Sequence, residues 1–111
     1  MTISKLPESE RMVYIMASNF KYGQVVATCG VENLINSKNA FHAFVNKSIT
    51  RHLNGDWGDL CEEDKRLNDE AVMSGSRILS AYECPFNEEW KIWIITEADR
   101  SATTVLFPHE Y

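Results

Sequence analysis

The chain has 111 residues, of which 44% are hydrophobic and 24% charged, and its formal net charge is −5. These proportions exclude a disordered chain, and no apolar run approaches the roughly 20 residues that a membrane-spanning helix needs. Phosphate binding requires clustered Lys and Arg, so the acidic balance also argues against a direct nucleic-acid binder.

The length predicts a single domain over residues 1–111. Three cysteines, odd in number, widely spaced and without a CxxC pair, are typical of reduced thiols and not of a disulfide framework or zinc site. Since no signal peptide is visible, we expect a cytoplasmic protein. The charge is uneven: residues 1–55 hold six basic and three acidic side chains, and residues 56–111 hold five basic and thirteen acidic ones.

The first predicted elements are short. Residues 12–16 (MVYIM) fit either a helix or a strand, and the acidic residues that follow Pro7 favour a short helix. Residues 20–28 contain Tyr and Val and predict a strand, although Gly23 weakens its middle. One or two helical turns are expected over residues 31–35.

Two longer helices follow. The first has Ser37 as its expected N-cap, and the second runs from about residue 60 to 72 or 73, with Glu62 and Arg66 at a favourable spacing of four. The first helix has apolar and small residues at the spacing of one helix face packed on a core. These residues are Phe41, Phe44, Val45, Ser48, Ile49 and His52.

The acidic stretch between these helices, residues 54–64, reads as a turn with capping signals. Gly55 suits the left-handed residue that ends the first helix. Asp59 suits the N-cap of the second helix, and Glu62, three residues on, would complete a capping box. Trp57, between two turn residues, has room to fold onto the core.

Three strands are predicted after the second helix, over residues 77–83, 90–97 and 102–107. The strand 90–97 has apolar residues on both faces, which is typical of a central strand, and it forms a hairpin with the last strand. The turn between them contains Arg100, which we expect to pair with Asp56 or Asp59. The predicted class is α+β, with an antiparallel sheet of three to four strands and two or three helices packed on one face.

Three segments carry a resemblance to a known group: residues 20–28 (FKYGQVVAT), 51–60 (RHLNGDWGDL) and 91–101 (KIWIITEADRS). They resemble a family of small, mostly uncharacterised proteins found on bacterial plasmids and other mobile elements. Its members are often labelled plasmid-related proteins, or type I restriction endonuclease subunit M. The likeness covers residues 20–111 and leaves residues 1–19 as an N-terminal extension. It implies no established chemistry, and the chain lacks the Gly-rich cofactor loop of a methyltransferase.

Two classes of function compete for the acidic stretch. A small metal-dependent or thiol hydrolase could use His52, Asp56, Asp59 and Cys61. Against it, the acids match no Ca²⁺-loop spacing, capping accounts for most of them, and the carboxylates around Cys61 oppose thiolate formation. We therefore expect no catalytic residue, no metal site and no cofactor.

The favoured interpretation is a non-enzymatic protein-interaction module with a partner that has a basic surface. The mobile-element setting implied by the resemblance suggests a nucleic-acid-handling effector of host defence, such as a CRISPR or restriction enzyme, whose inhibitor could mimic phosphate with its acids. The residues expected to contact the partner are Asp56, Trp57, Asp59, Glu62, Glu63, Asp64, Trp90, Asp99 and Arg100.

Overall fold

The computed structural model describes residues 3–5 and 19–111. Five strands form one sheet in the order β1-β2-β5-β4-β3. Their bounds are Ile3–Lys5 for β1, Gln24–Thr28 for β2, Ile78–Cys84 for β3, Asn87–Thr96 for β4 and Ala102–Leu106 for β5. The short helix expected after Pro7 lies outside the described residues.

Three α-helices accompany the sheet. They are α1 (Cys29–Ser37), α2 (Asn39–Leu53) and α3 (Glu62–Ser74), and a 3₁₀ turn, Pro108–Glu110, follows the last strand. The first helix extends beyond the two turns expected for it. The second begins after Lys38, not after Ser37, so the predicted N-cap is displaced by one residue.

The class α+β is confirmed, but the sheet is mixed and not purely antiparallel. β3, β4 and β5 form the expected antiparallel meander, with β4 between its two neighbours. β2, however, pairs in parallel with β5. A parallel pair needs a long crossover connection, and here that crossover contains all three helices and two strands. Local sequence patterns do not encode such a pairing.

The strand β2 is shorter than the predicted strand 20–28. Gly23 has φ +65° and packs so closely on Ser101 that a Cβ atom would lie 2.2 Å from its carbonyl oxygen. The chain therefore turns at Gly23, and strand pairing starts only at Gln24, opposite Ala102. The glycine that weakened the sequence pattern marks the true start of the strand.

The core lies between α1, α2 and one face of the sheet. From α2, Phe41, Val45, Ile49 and Leu53 are fully buried, and from the sheet Val25, Ile92, Ile94 and Val105 join the same cluster. Of the six positions predicted to line this helix face, five are buried and Phe44 is partly buried. The helical periodicity was thus sufficient to identify the face that packs on the sheet.

The helix α3 lies along the outer edge of β3. Its Ala71 packs with Trp57 and Ile78 in a second, smaller cluster. The amide side chain of Asn68 donates to the Leu79 carbonyl at 2.7 Å and accepts from the Leu79 N–H at 3.3 Å. The third helix therefore reaches the edge of the sheet, whereas the other two pack on its face.

Candidate functional site

The loop between α2 and α3, residues 54–61, is bound to the edge of β3. Asp59 N–H donates to the Ala81 carbonyl at 2.7 Å, and Ala81 N–H donates to the Trp57 carbonyl at 3.3 Å. The Asp59 carboxylate accepts from the Glu83 N–H at 2.8 Å. Together with Asn68 at Leu79, these bonds occupy successive outward-facing backbone groups of the edge strand. They leave little of that edge for pairing with another strand.

The expected capping box at Asp59 is wrong. The N-cap of α3 is Cys61, and no side-chain hydrogen bond caps the helix there. Asp59 lies two residues earlier and gives its carboxylate to the Glu83 amide of the edge strand. A capping box is a local pattern, but the unpaired amide of a neighbouring strand also requires an acceptor. In this fold the Asp59 carboxylate accepts from that strand amide and not from the amides of the helix.

The Asp56 carboxylate also stabilises this loop through hydrogen bonds. Its carboxylate accepts from Nε of Arg51 at 2.7 Å and from Nη2 at 3.1 Å, and also from the Gly58 N–H at 3.2 Å. The hydrogen bond from Arg51 holds the pKa of Asp56 below its usual value. The Tyr82 hydroxyl donates to the Asp56 carbonyl at 2.6 Å. The side chain remains half exposed, but its polar contacts are intramolecular.

Trp57 folds onto the core, as expected, and is 4% exposed. Its indole N–H donates to Asp69 Oδ1 at 2.9 Å, which joins the loop to the middle of α3. Its ring lies against Phe20 and His52, with centroid separations of 6.1 and 5.7 Å. A side chain so placed supports the loop and offers almost no surface to a partner.

Arg100 does not pair with Asp56 or Asp59, so that prediction is wrong. Its guanidinium donates to the carbonyls of Ala71, Ser76 and Glu97 at 2.9, 2.7 and 3.1 Å. Because α3 runs opposite to β3, the turn before β5 meets the C-terminal end of α3, where free carbonyls and the helix dipole favour a cation. Arg100 therefore joins the hairpin to the other end of the helix.

Asp99, beside Arg100, is exposed and accepts the Ser101 N–H at 2.9 Å. Hydrogen bonds from Ser101 hold the pKa of Asp99 below its usual value. Its carboxylate shapes the turn, as Asx turns do, while one side of it stays open to solvent. It lies at the opposite end of α3 from the acids of the first helical turn.

The first turn of α3 carries the acids that the fold leaves exposed. The Glu62 side chain is 93% exposed and lies 3.6 Å from Lys65, and Glu63 lies 2.6 Å from Arg66, which also contacts Glu70. Asp64 forms no ion pair with any other described residue. We call these exposed carboxylates the acidic face; its members are Glu62, Glu63, Asp64 and Glu70.

His52 is fully buried and unavailable as a base for Cys61. Its Nε2 lies 2.9 Å from Thr96 Oγ1, and its Nδ1 is hydrogen-bonded to Ser80. Burial lowers the pKa of His52 to about 3. Cys61, in contrast, is exposed at the start of α3. The hydrolase alternative therefore loses His52 as a general base, since both of its ring nitrogens are engaged inside the core.

The directions of the hydrogen bonds around His52 determine which ring nitrogen carries the proton. Thr103 Oγ1 donates to the Tyr22 carbonyl at 2.8 Å, so it must accept from Thr96 Oγ1, 2.7 Å away. Thr96 then has no proton left for His52 and accepts from Nε2–H. Nδ1 is therefore the acceptor, and Ser80 donates to it. With the ring neutral, every donor and acceptor in this series of hydrogen bonds has a partner, as expected of a structural histidine.

A metal site is not assembled from the predicted ligands. Asp56 and Asp59 bond to Arg51 and to the Glu83 amide, and His52 points into the core. In residues 19–111, no three His, Cys, Asp or Glu side chains lie close enough together to hold a metal ion. Within the same described part of the chain, no helix is both long and apolar enough to cross a membrane.

The C-terminal turn contains a residue that the sequence did not single out. The Glu110 carboxylate accepts from the Thr28 hydroxyl at 2.6 Å, the Gly30 N–H at 3.2 Å and the Phe107 N–H at 3.0 Å. Burial opposes its ionisation, but these bonds outweigh burial and hold the pKa of Glu110 below its usual value. Glu110 thus caps the start of α1 from about 80 residues away, which no local signal could indicate.

The β3–β4 hairpin contains a second residue that the sequence did not single out, Phe86. Trp90, one of the residues expected to contact a partner, lies partly buried against Phe41, with ring centroids 5.4 Å apart. Its neighbour Phe86 is 67% exposed and contacts the Trp90 ring edge-on at 5.6 Å. The available signal was an aromatic residue directly after Pro85, in a turn where polar residues are usual.

No protein-family model, curated protein or solved structure matches this chain.

Proposed function

We propose that this protein is a non-enzymatic interaction module that docks on a basic surface of a protein partner through its acidic face. The observation that carries the proposal is the division of the carboxylates. Asp56 and Asp59 are bound within the loop, whereas Glu62, Glu63 and Asp64 project from one helical turn into solvent. Exposed like charges on one turn attract a partner of opposite charge and speed its association.

The fold supports the rigidity that such a surface needs. Asn68 holds α3 to the edge of β3, Trp57 bonds to Asp69, and Arg100 binds the carbonyls at the far end of the helix. Three independent contacts thus hold the helix along its length. A surface held in one conformation loses less entropy on binding.

The partner we favour is a nucleic-acid-handling effector of host defence. Such enzymes bind phosphate through clustered Lys and Arg, and a row of carboxylates can compete for the same cations. The support is the net charge of −5, the exposed first turn of α3 and the sequence resemblance to mobile-element proteins. The module would then inhibit the effector by occupying its nucleic-acid channel.

A matched pair of variants tests the acidic face. Glu62→Gln with Asp64→Asn removes two charges but keeps the contacts of Arg66 with Glu63 and Glu70. The control, Glu32→Gln with Glu97→Gln, removes two charges elsewhere. Each protein is used to capture partners from bacterial lysate at low and high salt. We expect the first variant alone to lose a partner that wild type retains only at low salt.

The contrary outcomes are equally specific. A partner retained equally by both variants, or at high salt, would contradict docking through the acidic face. Hydrolysis of an ester, peptide or phosphoester substrate that disappears with a chelator or with Cys61→Ala would instead support the hydrolase alternative. Thermal unfolding of every variant verifies that the fold is intact.

A further inference from the structure

The β3–β4 hairpin presents an aromatic side chain that is exposed and yet held in place. Phe86 is 67% exposed, but its ring contacts Trp90 at 5.6 Å, and Trp90 contacts the fully buried Phe41 at 5.4 Å. Phe41 in turn stacks on Phe107 at 5.7 Å. A continuous series of ring contacts thus connects Phe86 to the core. An aromatic side chain that is already ordered loses little entropy when a partner covers it.

The hairpin that holds Phe86 is rich in acidic residues. Glu88 and Glu89 are exposed, and neither forms an ion pair with any other described residue. Glu83 is 62% exposed in its side chain and lies 3.8 Å from Lys91. We call Phe86, Trp90, Glu88 and Glu89 the hairpin surface. An exposed aromatic side chain on an acidic hairpin fits an apolar side chain flanked by cations.

The hairpin surface and the acidic face lie at the same end of β3. Asp59, two residues before Cys61, bonds to Glu83, and Asn68 in the middle of α3 bonds to Leu79. The helix therefore runs opposite to β3, and its first turn begins where β3 approaches the hairpin. A single partner can contact both regions.

We propose that the hairpin surface is the aromatic anchor of the docking site, and that its ligand is a protein segment with apolar side chains flanked by Lys or Arg. This inference rests on the proposed function and specifies the partner's chemistry. Charge complementarity identifies the occupant: Glu83, Glu88 and Glu89 repel phosphate, so a nucleic acid does not fit, whereas a basic and apolar peptide satisfies both the ring and the carboxylates.

The test uses an acetylated hexapeptide, Lys-Arg-Leu-Leu-Arg-Lys, titrated into the full chain at low salt while backbone amide chemical shifts are recorded. We expect the shifts to concentrate on residues 85–90 and on the first turn of α3. Phe86→Ala should raise the dissociation constant about fivefold or more. Met73→Ala is the matched control, because Met73 is 87% exposed on α3 without belonging to the hairpin surface, and it should change nothing.

Each other outcome has a separate meaning. Shifts confined to α3, with Phe86→Ala binding like wild type, would overturn the aromatic anchor but leave the acidic face as the docking site. Equal binding of Glu-Glu-Leu-Leu-Glu-Glu would refute charge complementarity in both proposals. Absence of any shift at millimolar peptide would also contradict both. A single-stranded oligonucleotide that displaces the peptide from the hairpin would favour a nucleic acid over a protein ligand.

Discussion

The loop 54–61 and the first turn of α3 are both acidic and adjacent in sequence, yet the fold uses their carboxylates differently. Asp56 and Asp59 lie beside unpaired donors, the Arg51 guanidinium and the Glu83 amide, and they bond to them. The side chains of Glu62 and Asp64, in the first turn of α3, are exposed to solvent. Acidity in a sequence therefore does not identify a binding surface until the neighbouring donors are known.

The loop 54–61 also covers the edge of the sheet. β3 is the edge strand of the sheet, and its outward N–H and C=O groups would otherwise invite pairing with another chain. The loop and Asn68 occupy those groups at Leu79, Ala81 and Glu83. The acidic face of α3, in contrast, has no such task in the described structure.

The largest effect is expected at a glycine of the loop, compared with the glycine that ends α3. Gly58 in the loop has φ +75°, and a Cβ atom there would lie 2.1 Å from the Ala81 carbonyl oxygen and 2.6 Å from the Tyr82 ring. Because neither neighbour can yield cheaply, we expect Gly58→Ala to cost about 4 kcal/mol or more, or to prevent folding. Urea unfolding measures the change.

The control for this variant is Gly75→Ala at the end of α3. Gly75 has φ +81°, but no atom lies within 4 Å of the added methyl group. The left-handed backbone alone should then cost about 1–2 kcal/mol. Equal losses in the two variants would mean that contact of the loop with β3 contributes little to stability.

A second prediction concerns pH and the ring beneath the loop. His52 contacts Trp57, and its pKa falls from 6.5 to about 3 because of burial. The folded pKa is below the unfolded one, so below pH 6.5 the unfolded chain binds a proton that the folded chain does not. The free energy of unfolding should therefore fall by about 2 kcal/mol between pH 6.5 and 5, where most carboxylates stay ionised.

This dependence can be assigned by substitution. His52→Gln retains hydrogen-bonding groups but does not titrate, so its unfolding free energy should be nearly constant over the same pH interval. Chemical denaturation at several pH values, for wild type and variant, gives the two slopes. An unchanged slope in His52→Gln would mean that another group causes the pH dependence.

The smallest expected effect is a difference in stability between two variants, each of which lacks one acid from one of the two regions. Asp59→Ala removes the acceptor of the Glu83 amide and should cost about 1.5 kcal/mol. Asp64→Ala, in the first turn of α3, should cost about 0.5 kcal/mol through the helix dipole alone. Thermal unfolding distinguishes the two, and light scattering should detect self-association only for Asp59→Ala, because that change uncovers part of the sheet edge. Indistinguishable variants would remove the division between the two regions.

The sequence determined those features whose cause is local. The stripe from Phe41 to His52 follows helical spacing, and the apolar run of β4 on both faces required a central strand, so both predictions were confirmed. Trp57 between turn residues was also correctly assigned to the core. In each case the residues that determine the structure lie close together in the sequence.

Tertiary structure decided the rest, because the deciding partner is distant in sequence. The parallel register of β2 with β5 unites residues about 78 apart, and Glu110 reaches Thr28 from 82 residues away. The Asp59 carboxylate accepts from a strand amide and does not cap a helix. The Arg100 guanidinium donates to main-chain carbonyls and not to a carboxylate. In both cases the fold places the observed partner nearer. A polar side chain bonds to whatever the folded chain brings within about 3 Å of it, and only the tertiary structure determines which group that is.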